Sequence, residues 1–184
     1  MLRYYSVFNV EQCEGLKMPV ENTDDAPLEF NPIEAAEAIV NGYEGKPTIK
    51  ETEKARAYYS PGLDYIHMPK RETFHSVEEF YSTLFHELTH STGHENRLKR
   101  EGIIGMHYFG DAVYSREELV AEFGAAFLCG HAGIENVTLD NSAAYIQSWL
   151  KVLKNNKQWL VIAAAQAQKA AEHVLGIKHE KDAA

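Results

Sequence analysis

The sequence predicts an α+β fold, in which a small mixed sheet is followed by a mostly helical C-terminal half. Two observations favour this class. Short runs of β-branched and aromatic residues flank a turn at residues 60–62, and apolar residues recur at helical spacing from residue 76 onward. Strands followed by a series of helices are typical of α+β proteins. We expect one domain over residues 1–184, with an N-terminal strand and acidic loop in 1–30, the sheet in 44–69 and the helical part in 76–184.

The N-terminal part is predicted to begin with a strand at residues 4–10, whose sequence is YYSVFNV. Residues 19–32 contain three prolines and several acids, which indicates a loop. Asn31 as N-cap and Pro32 at the first helical position then predict a helix that ends at Gly42.

Three short strands are predicted next, and the turn residues Ser60, Pro61 and Gly62 join the second and third in a hairpin. The predicted strands are Thr48–Lys50, Ala55–Tyr59 and Leu63–Met68.

The helical part is predicted to begin at a capping box, Ser76 to Glu79, and its first helix to end near Gly93. A second box, Ser115 to Glu118, predicts the start of another helix. This helix is predicted to run through about Cys129. Asp140 or Asn141 is predicted to cap the next helix, and Gly176 to end a last helix over Gln158–Leu175.

The composition is that of an ordinary globular protein, with 45% hydrophobic and 24% charged residues. No stretch approaches the roughly 20 apolar residues of a membrane span, and the N-terminus lacks the pattern of a secretory leader. The two cysteines do not form a disulfide framework. We therefore expect a cytoplasmic protein without a membrane partner.

The formal charge of -9 is concentrated near the N-terminus, where nine acids between Glu11 and Glu44 face Lys17 as the one basic residue. Non-specific nucleic-acid binding needs clustered Lys and Arg, so nucleic acid is not an expected partner of this chain alone. The acidic stretch is a solvated surface, or a patch that docks a basic partner or mimics DNA.

His86-Glu87-Leu88-Thr89-His90 is an H-E-x-x-H pattern on the helix that begins after Ser76. Residues four apart share one helical face, so both imidazoles can bind one Zn²⁺. Glu87 lies beside the ion and can act as the general base that takes a proton from water. The alternatives are two solvent-facing histidines or a purely structural metal.

His94 is a tempting third ligand, but eight residues of helix span about 12 Å, too far for His86 and His94 to share an ion. A break at Gly93 followed by a third histidine would solve this, yet Asn96 occupies that position. His94 is therefore predicted to be a loop residue or a contact near the site.

A carboxylate from the next helix is the other solution. Glu118 and Glu122 share one face of that helix, and small residues nearby allow close packing. We assign Glu118 as the third ligand and Glu122 as the acceptor for a liganding histidine N–H, while Glu117 is predicted to be solvated. Two alternatives stay open: the two roles exchanged, or Glu118 serving only the capping box.

Hydrolysis also needs a donor for the developing oxyanion. The candidates for oxyanion or substrate contacts are His94, His107, Tyr108 and Tyr114.

Four segments together resemble the C-terminal metallopeptidase domain of ArdC-type antirestriction proteins, whose zincin-like relatives occur in polyvalent proteins of plasmids and phages. The segments are LDYIHMP, FYSTLFHELTHSTGHENRL, YSREELVAEFGAAFLC and AAYIQSWLKVLK. The resemblance runs from about Val7 to Leu175. It implies a zincin fold, His86 and His90 as zinc ligands, Glu87 as base and a third ligand from the Glu118–Glu122 motif.

ArdC-type proteins also carry an N-terminal domain associated with single-stranded DNA, and we expect this sequence to begin at the trailing edge of that domain. The resemblance thus implies a gluzincin-like peptidase of a mobile element that acts on a protein or peptide, such as a host defence protein. The alternatives are a catalytically silent interaction module that uses its acidic surface, or part of a single-stranded DNA-binding protein.

Overall fold

The computed structural model describes residues 29–105, 112–134 and 158–178. Its strands are β1 (Thr48–Thr52), β2 (Tyr58–Ser60) and β3 (Tyr65–Pro69). Its helices are α1 (Glu34–Gly42), a 3-10 turn (Arg71–Thr73), α2 (Val77–Ser91), α3 (Glu101–Ile104), α4 (Ala112–His131) and α5 (Gln158–Val174). The predicted strand at residues 4–10 and the helix start at Asp140 or Asn141 lie outside the described residues.

The sheet is mixed, as expected, with strand order β1-β3-β2. β1 runs parallel to β3, with Ile49 opposite Ile66, and β2 runs antiparallel to β3, with Tyr59 opposite Ile66. The predicted hairpin is therefore confirmed as the β2–β3 pair. Among the described strands β2 pairs with β3 alone, which leaves β2 at an edge of the sheet.

α2 begins where the capping box predicts, because the Ser76 hydroxyl accepts a hydrogen bond from the Glu79 amide at 3.1 Å. The Glu79 carboxylate accepts from the amide of His75 rather than from that of Ser76. Its apolar face carries Phe80, Leu84 and Leu88, which are buried in the main core. The helical spacing of these residues thus places α2 against the centre of the molecule.

Two predicted helix starts are wrong. α1 begins at Glu34 with Ile33 as an N-cap that makes no side-chain hydrogen bond, two residues later than Asn31 as N-cap predicts. α4 begins at Ala112, so Ser115 lies inside the helix rather than at its cap. A Ser and a Glu three residues apart also face each other across one turn within a helix, so this pattern does not by itself identify an N-terminus.

α4 packs against α2 at a point of very close approach. A β-carbon added at Gly124 would lie 2.4 Å from the Thr89 methyl group, so only glycine permits this contact. α5 covers α4 with small buried residues that include Ala163 and Ala167, and it ends before Gly176, whose φ of 66° is left-handed. No helix in the described parts of the chain is long and apolar enough to cross a membrane.

Candidate metal centre

The two histidines of the H-E-x-x-H pattern face each other on α2. Their Nε2 atoms lie 3.1 Å apart, and their rings are nearly perpendicular. The i, i+4 relation of a regular helix brings the imidazoles to one spot, as the sequence predicts. Glu87, between them in sequence, is buried.

Glu118 on α4 completes the cluster. One carboxylate oxygen lies 3.6 Å from Nε2 of His86, and the other lies 3.6 Å from Nε2 of His90. Nitrogen and oxygen ligands held about 2.0–2.1 Å from one ion at tetrahedral angles lie about 3.3–3.4 Å apart. The separation of 3.1 Å between the two nitrogens lies just below this value, and the two separations of 3.6 Å lie just above it. These three residues could therefore hold a divalent metal ion.

Each histidine is held from behind by a further glutamate of α4. The Nδ1–H of His86 donates to Glu122 at 3.1 Å, and the Nδ1–H of His90 donates to Glu117 at 3.3 Å. Both Nε2 atoms are thus directed at the common site. Carboxylates that accept from the outer nitrogen of a liganding histidine are frequent at metal sites, because they orient the ring.

The prediction that Glu117 is solvated is wrong, since only 4% of the residue is exposed. Glu117 lies about 100° around the helix from Glu118, on a face that an isolated amphipathic helix would present to water. Here the short helix α3 covers that face, and Gly102 lies so close that an added β-carbon would be 2.6 Å from the β-carbon of Glu117.

Arg100, which sequence reasoning missed, neutralises Glu117. Its Nη2 donates to one carboxylate oxygen at 2.6 Å, and its Nε donates to the other at 3.0 Å. A fork of this kind, which joins two donors to two acceptors, is the strongest geometry for an Arg–carboxylate pair. A buried arginine needs a carboxylate partner, so the pairing of Arg100 could have been predicted if its burial were known. The sequence alone does not reveal that burial.

Two groups of the centre, His86 and Glu117, have shifted pKa values. Burial alone lowers the pKa of His86, but hydrogen bonds to Glu118 and Glu122 and the charge of Glu87 outweigh it and raise the pKa to about 10. Burial alone raises the pKa of Glu117, whereas hydrogen bonds from His90 and Arg100 outweigh it and hold the pKa below its usual range. The carboxylates around His86 thus favour positive charge at the position of its ring.

The cluster opens into a cleft of about 480 Å³. Tyr58 and Tyr59 of the edge strand line one side, and Ile103 of α3 lines another. Arg56 provides an exposed cation at the rim. The metal site and Glu87 are therefore reached from an open groove beside a sheet edge.

The remaining candidates are placed as follows. His94 lies beyond the end of α2, accepts a hydrogen bond from the amide of Asn96, and does not line the cleft as far as the described residues show. His107 and Tyr108 lie outside the described residues. Tyr114 belongs to α4, but its side chain is not described.

This fold is of the zincin-like class, and its two histidines and one glutamate could hold a metal ion. A zincin-like metallopeptidase family model matches residues 34–166. The chain belongs to that family, and the predicted α+β zincin-like fold is confirmed.

Several solved structures and curated proteins are similar to this chain. The Mn(II)-bound crystal structure of the antirestriction protein ArdC from plasmid R388 is 42% identical, with a TM-score of 0.63 over 77% of this chain and 51% of that chain. Its metal-free structure is 40% identical, with a TM-score of 0.60 over 95% of this chain and 62% of that one. The DNA primase TraC of Escherichia coli is 36% identical over 97% of this chain, which covers 16% of TraC.

The uncharacterized protein y4eC of Sinorhizobium fredii (strain NBRC 101917 / NGR234) is 31% identical over 92% of this chain and 52% of its own length. The chain thus spans between about a sixth and about half of the length of these curated relatives. The aligned parts cover 92–97% of this chain.

Proposed function

We propose that this chain is a zinc-dependent peptidase that hydrolyses peptide bonds in its open cleft. The observation that supports this best is the cluster of three ligand atoms, from His86, His90 and Glu118, which all lie within 4.8 Å of one another. Two imidazoles and one carboxylate with an open side are the ligands of a catalytic rather than a structural zinc.

In this proposal His86, His90 and Glu118 hold the ion, and Glu122 orients His86. When bound there, a divalent ion would supply a Lewis acid that polarises the scissile carbonyl and acidifies a water molecule. Glu87 would accept a proton from a water molecule in the cleft as the water oxygen adds to the carbonyl carbon. Glu87 then gives the proton to the amide nitrogen as the C–N bond breaks, which releases a neutral amine.

The position of β2 supports an extended polypeptide as the substrate. Within the described sheet this strand pairs with β3 alone, and Tyr58 and Tyr59 line the cleft beside it. An extended peptide can add to such an edge through its backbone and place one carbonyl over the metal centre. Arg56 at the rim would favour an acidic side chain near the cleaved bond.

The similarity to the antirestriction protein ArdC supports antirestriction as the biological role, on a plasmid or phage, with a host defence protein as the partner. We place this reaction in the cytoplasm, where such a partner would be met.

Replacing Glu87 with Gln tests the reaction. We expect Glu87→Gln to retain zinc, measured by elemental analysis, and to lose hydrolysis of a protease-substrate panel by a factor of about 10²–10⁴. Glu78→Gln on the same helix, remote from the ligands in sequence, is the matched control and should cleave like wild type. Equal cleavage by Glu87→Gln and wild type would contradict the assigned base.

A catalytically silent interaction module is the second candidate, and the observation that favours it is the cluster of nine acids between Glu11 and Glu44. It predicts that Glu87→Gln protects incoming DNA from restriction as well as wild type does. A variant with neutral residues at Glu21, Asp24, Asp25 and Glu29 should then lose protection, whereas the peptidase proposal expects the opposite pattern.

A further inference from the structure

We propose that Arg100 is a positioning residue that holds the His90 ring ready for the ion through Glu117. Its direct contact with His90 is a long one, from Nη2 to the backbone carbonyl at 3.5 Å. The inference rests on the metal site of the proposed function, but not on the reaction. Its evidence is a chain of hydrogen bonds from the guanidinium to the Glu117 carboxylate and on to Nδ1 of His90.

The guanidinium is fixed on several sides. Besides its fork to Glu117, Nη1 donates to the Thr92 hydroxyl at 2.5 Å, and Nη2 donates to the Thr89 carbonyl at 2.7 Å. Both of these partners belong to the C-terminal end of α2. Arg100 therefore ties the carboxylate of α4 to the helix that carries His90.

Local structure leaves little room for another arrangement. A β-carbon at Gly93 would lie 3.1 Å from Nη2 of Arg100, and one at Gly102 would lie 3.2 Å from a carboxylate oxygen of Glu117. These two glycines let the chain close over the ion pair. The side chains of Arg100 and Glu117 are consequently only 7% and 4% exposed.

The consequence for the metal concerns which imidazole nitrogen is free. An ionised carboxylate can only accept a hydrogen bond, so Glu117 requires the proton of His90 to be on Nδ1. Nε2, which points at His86 and Glu118, is then left with its lone pair toward the ion. Without Arg100, Glu117 would be a buried carboxylate without its cation and would turn away toward water.

Among the described residues no arginine or lysine pairs with Glu122, which holds His86, so the two liganding histidines differ in their support. A loss of Arg100 should weaken the metal site through His90, because outer partners of liganding histidines contribute about 10–100-fold to metal affinity.

Arg97 provides a matched control. Its side chain is also 7% exposed, it pairs with the carboxylate of Asp64, and it donates to the Ser91 carbonyl at the end of α2. Within the described residues, the Arg97 side chain forms no hydrogen bond to the metal ligands or to Glu117. Arg97→Met should therefore lower thermal stability as Arg100→Met does, without changing zinc affinity.

The experiment measures zinc dissociation constants by competition with a chromophoric chelator, together with the melting temperature of each metal-free protein. We expect Arg100→Met to weaken zinc binding about 10–100-fold and Arg100→Lys, which keeps the charge but not the fork, to weaken it less. Glu117→Gln combined with Arg100→Met should bind zinc no more weakly than the weaker single variant, because both act through one hydrogen bond.

Wild-type zinc affinity in a folded Arg100→Met would overturn the inference, and so would equal losses of affinity in Arg97→Met and Arg100→Met. If Arg100→Met does not fold, the same comparison with Arg100→Lys decides. Zinc binding by a wild-type protein that cleaves no peptide would overturn the proposed reaction and leave the role of Arg100 standing. Failure of the wild type to bind zinc would overturn both.

Discussion

Gly124 of α4 lies against Thr89 of α2 so closely that a β-carbon on Gly124 would be 2.6 Å from the Thr89 hydroxyl oxygen. Thr89 is fixed in this orientation because its hydroxyl donates to the Phe85 carbonyl at 2.8 Å. The contact sets the distance between the helix that carries the two histidines and the helix that carries the glutamates. The geometry of the metal centre therefore depends on a residue without a side chain.

Gly124→Ala tests that dependence. The added methyl group should force α4 away from Thr89, lower the free energy of unfolding by about 1–3 kcal/mol and weaken zinc binding. Gly130→Ala on the same helix is the control, since nothing lies within 4 Å of its added β-carbon. The free energy of unfolding of that control should rise by about 0.5–1 kcal/mol from helix propensity, and its zinc affinity should stay at the wild-type value. Urea unfolding measures the stability, and chelator competition measures the affinity.

Glu118 and Glu122 are predicted to differ in their effect on metal binding. Glu118→Gln removes the proposed ligand, so zinc should be lost at concentrations that saturate the wild type. Glu122→Gln keeps an acceptor for Nδ1 of His86 and should weaken zinc binding by no more than about 10–100-fold. The reverse order, measured by the same competition assay, would show that the two residues have exchanged roles.

Asp64 provides a prediction about pH. Burial alone raises the pKa of Asp64, but hydrogen bonds from Arg97 and Tyr59 and the charge of Arg97 outweigh it and hold the pKa below its ordinary value of 3.8. A depressed folded-state pKa contributes stability above the unfolded pKa, and that stability is lost as the pH falls through the folded pKa.

Asp64→Asn is the suitable variant, since Asn tolerates the left-handed φ of 45° at this position. The wild type should exceed Asp64→Asn in free energy of unfolding by a constant amount above about pH 5, and the difference should shrink below about pH 4. Urea unfolding between pH 3 and pH 7 measures this. A difference that grows on acidification would contradict the assignment.

Ser76 tests the start of the metal helix. Ser76→Ala removes the acceptor for the Glu79 amide and should lower the free energy of unfolding by about 1 kcal/mol, whereas Ser76→Asp should retain most of it. Zinc affinity should stay at the wild-type value in both, because the cap lies ten residues before His86. Unchanged stability in Ser76→Ala would show that packing alone fixes this end of α2.

The sequence predicted the elements whose signals are local. Ser76 begins α2, the turn at residues 60–62 joins β2 to β3, and Gly176 follows the end of α5. These are short-range relations of hydrogen bonding and backbone conformation. The starts of α1 and α4 were wrong for the same reason, since a capping pattern at Asn31 or Ser115 does not reveal where neighbouring elements let a helix begin.

The metal centre shows the same division between features with local signals and features that depend on neighbouring elements. That His86 and His90 meet follows from four residues of one helix, and the amphipathic pattern already indicates which helix that is. Arg100 and Glu117 could not be found in this way. Charged residues are read as solvated unless a partner is known, and their partner here comes from a segment 17 positions away in the chain.

By itself, then, the sequence determined the metal helix, the pair of histidines on one of its faces and Glu87 beside them, because the period of a helix is a local property of the backbone. Only the tertiary structure decided that Glu117 is buried beneath α3 and that Gly124 sets the approach of α4. Burial and close contact are sums over all surrounding elements, and the cost of removing a carboxylate from water depends on the arginine that the fold places beside it.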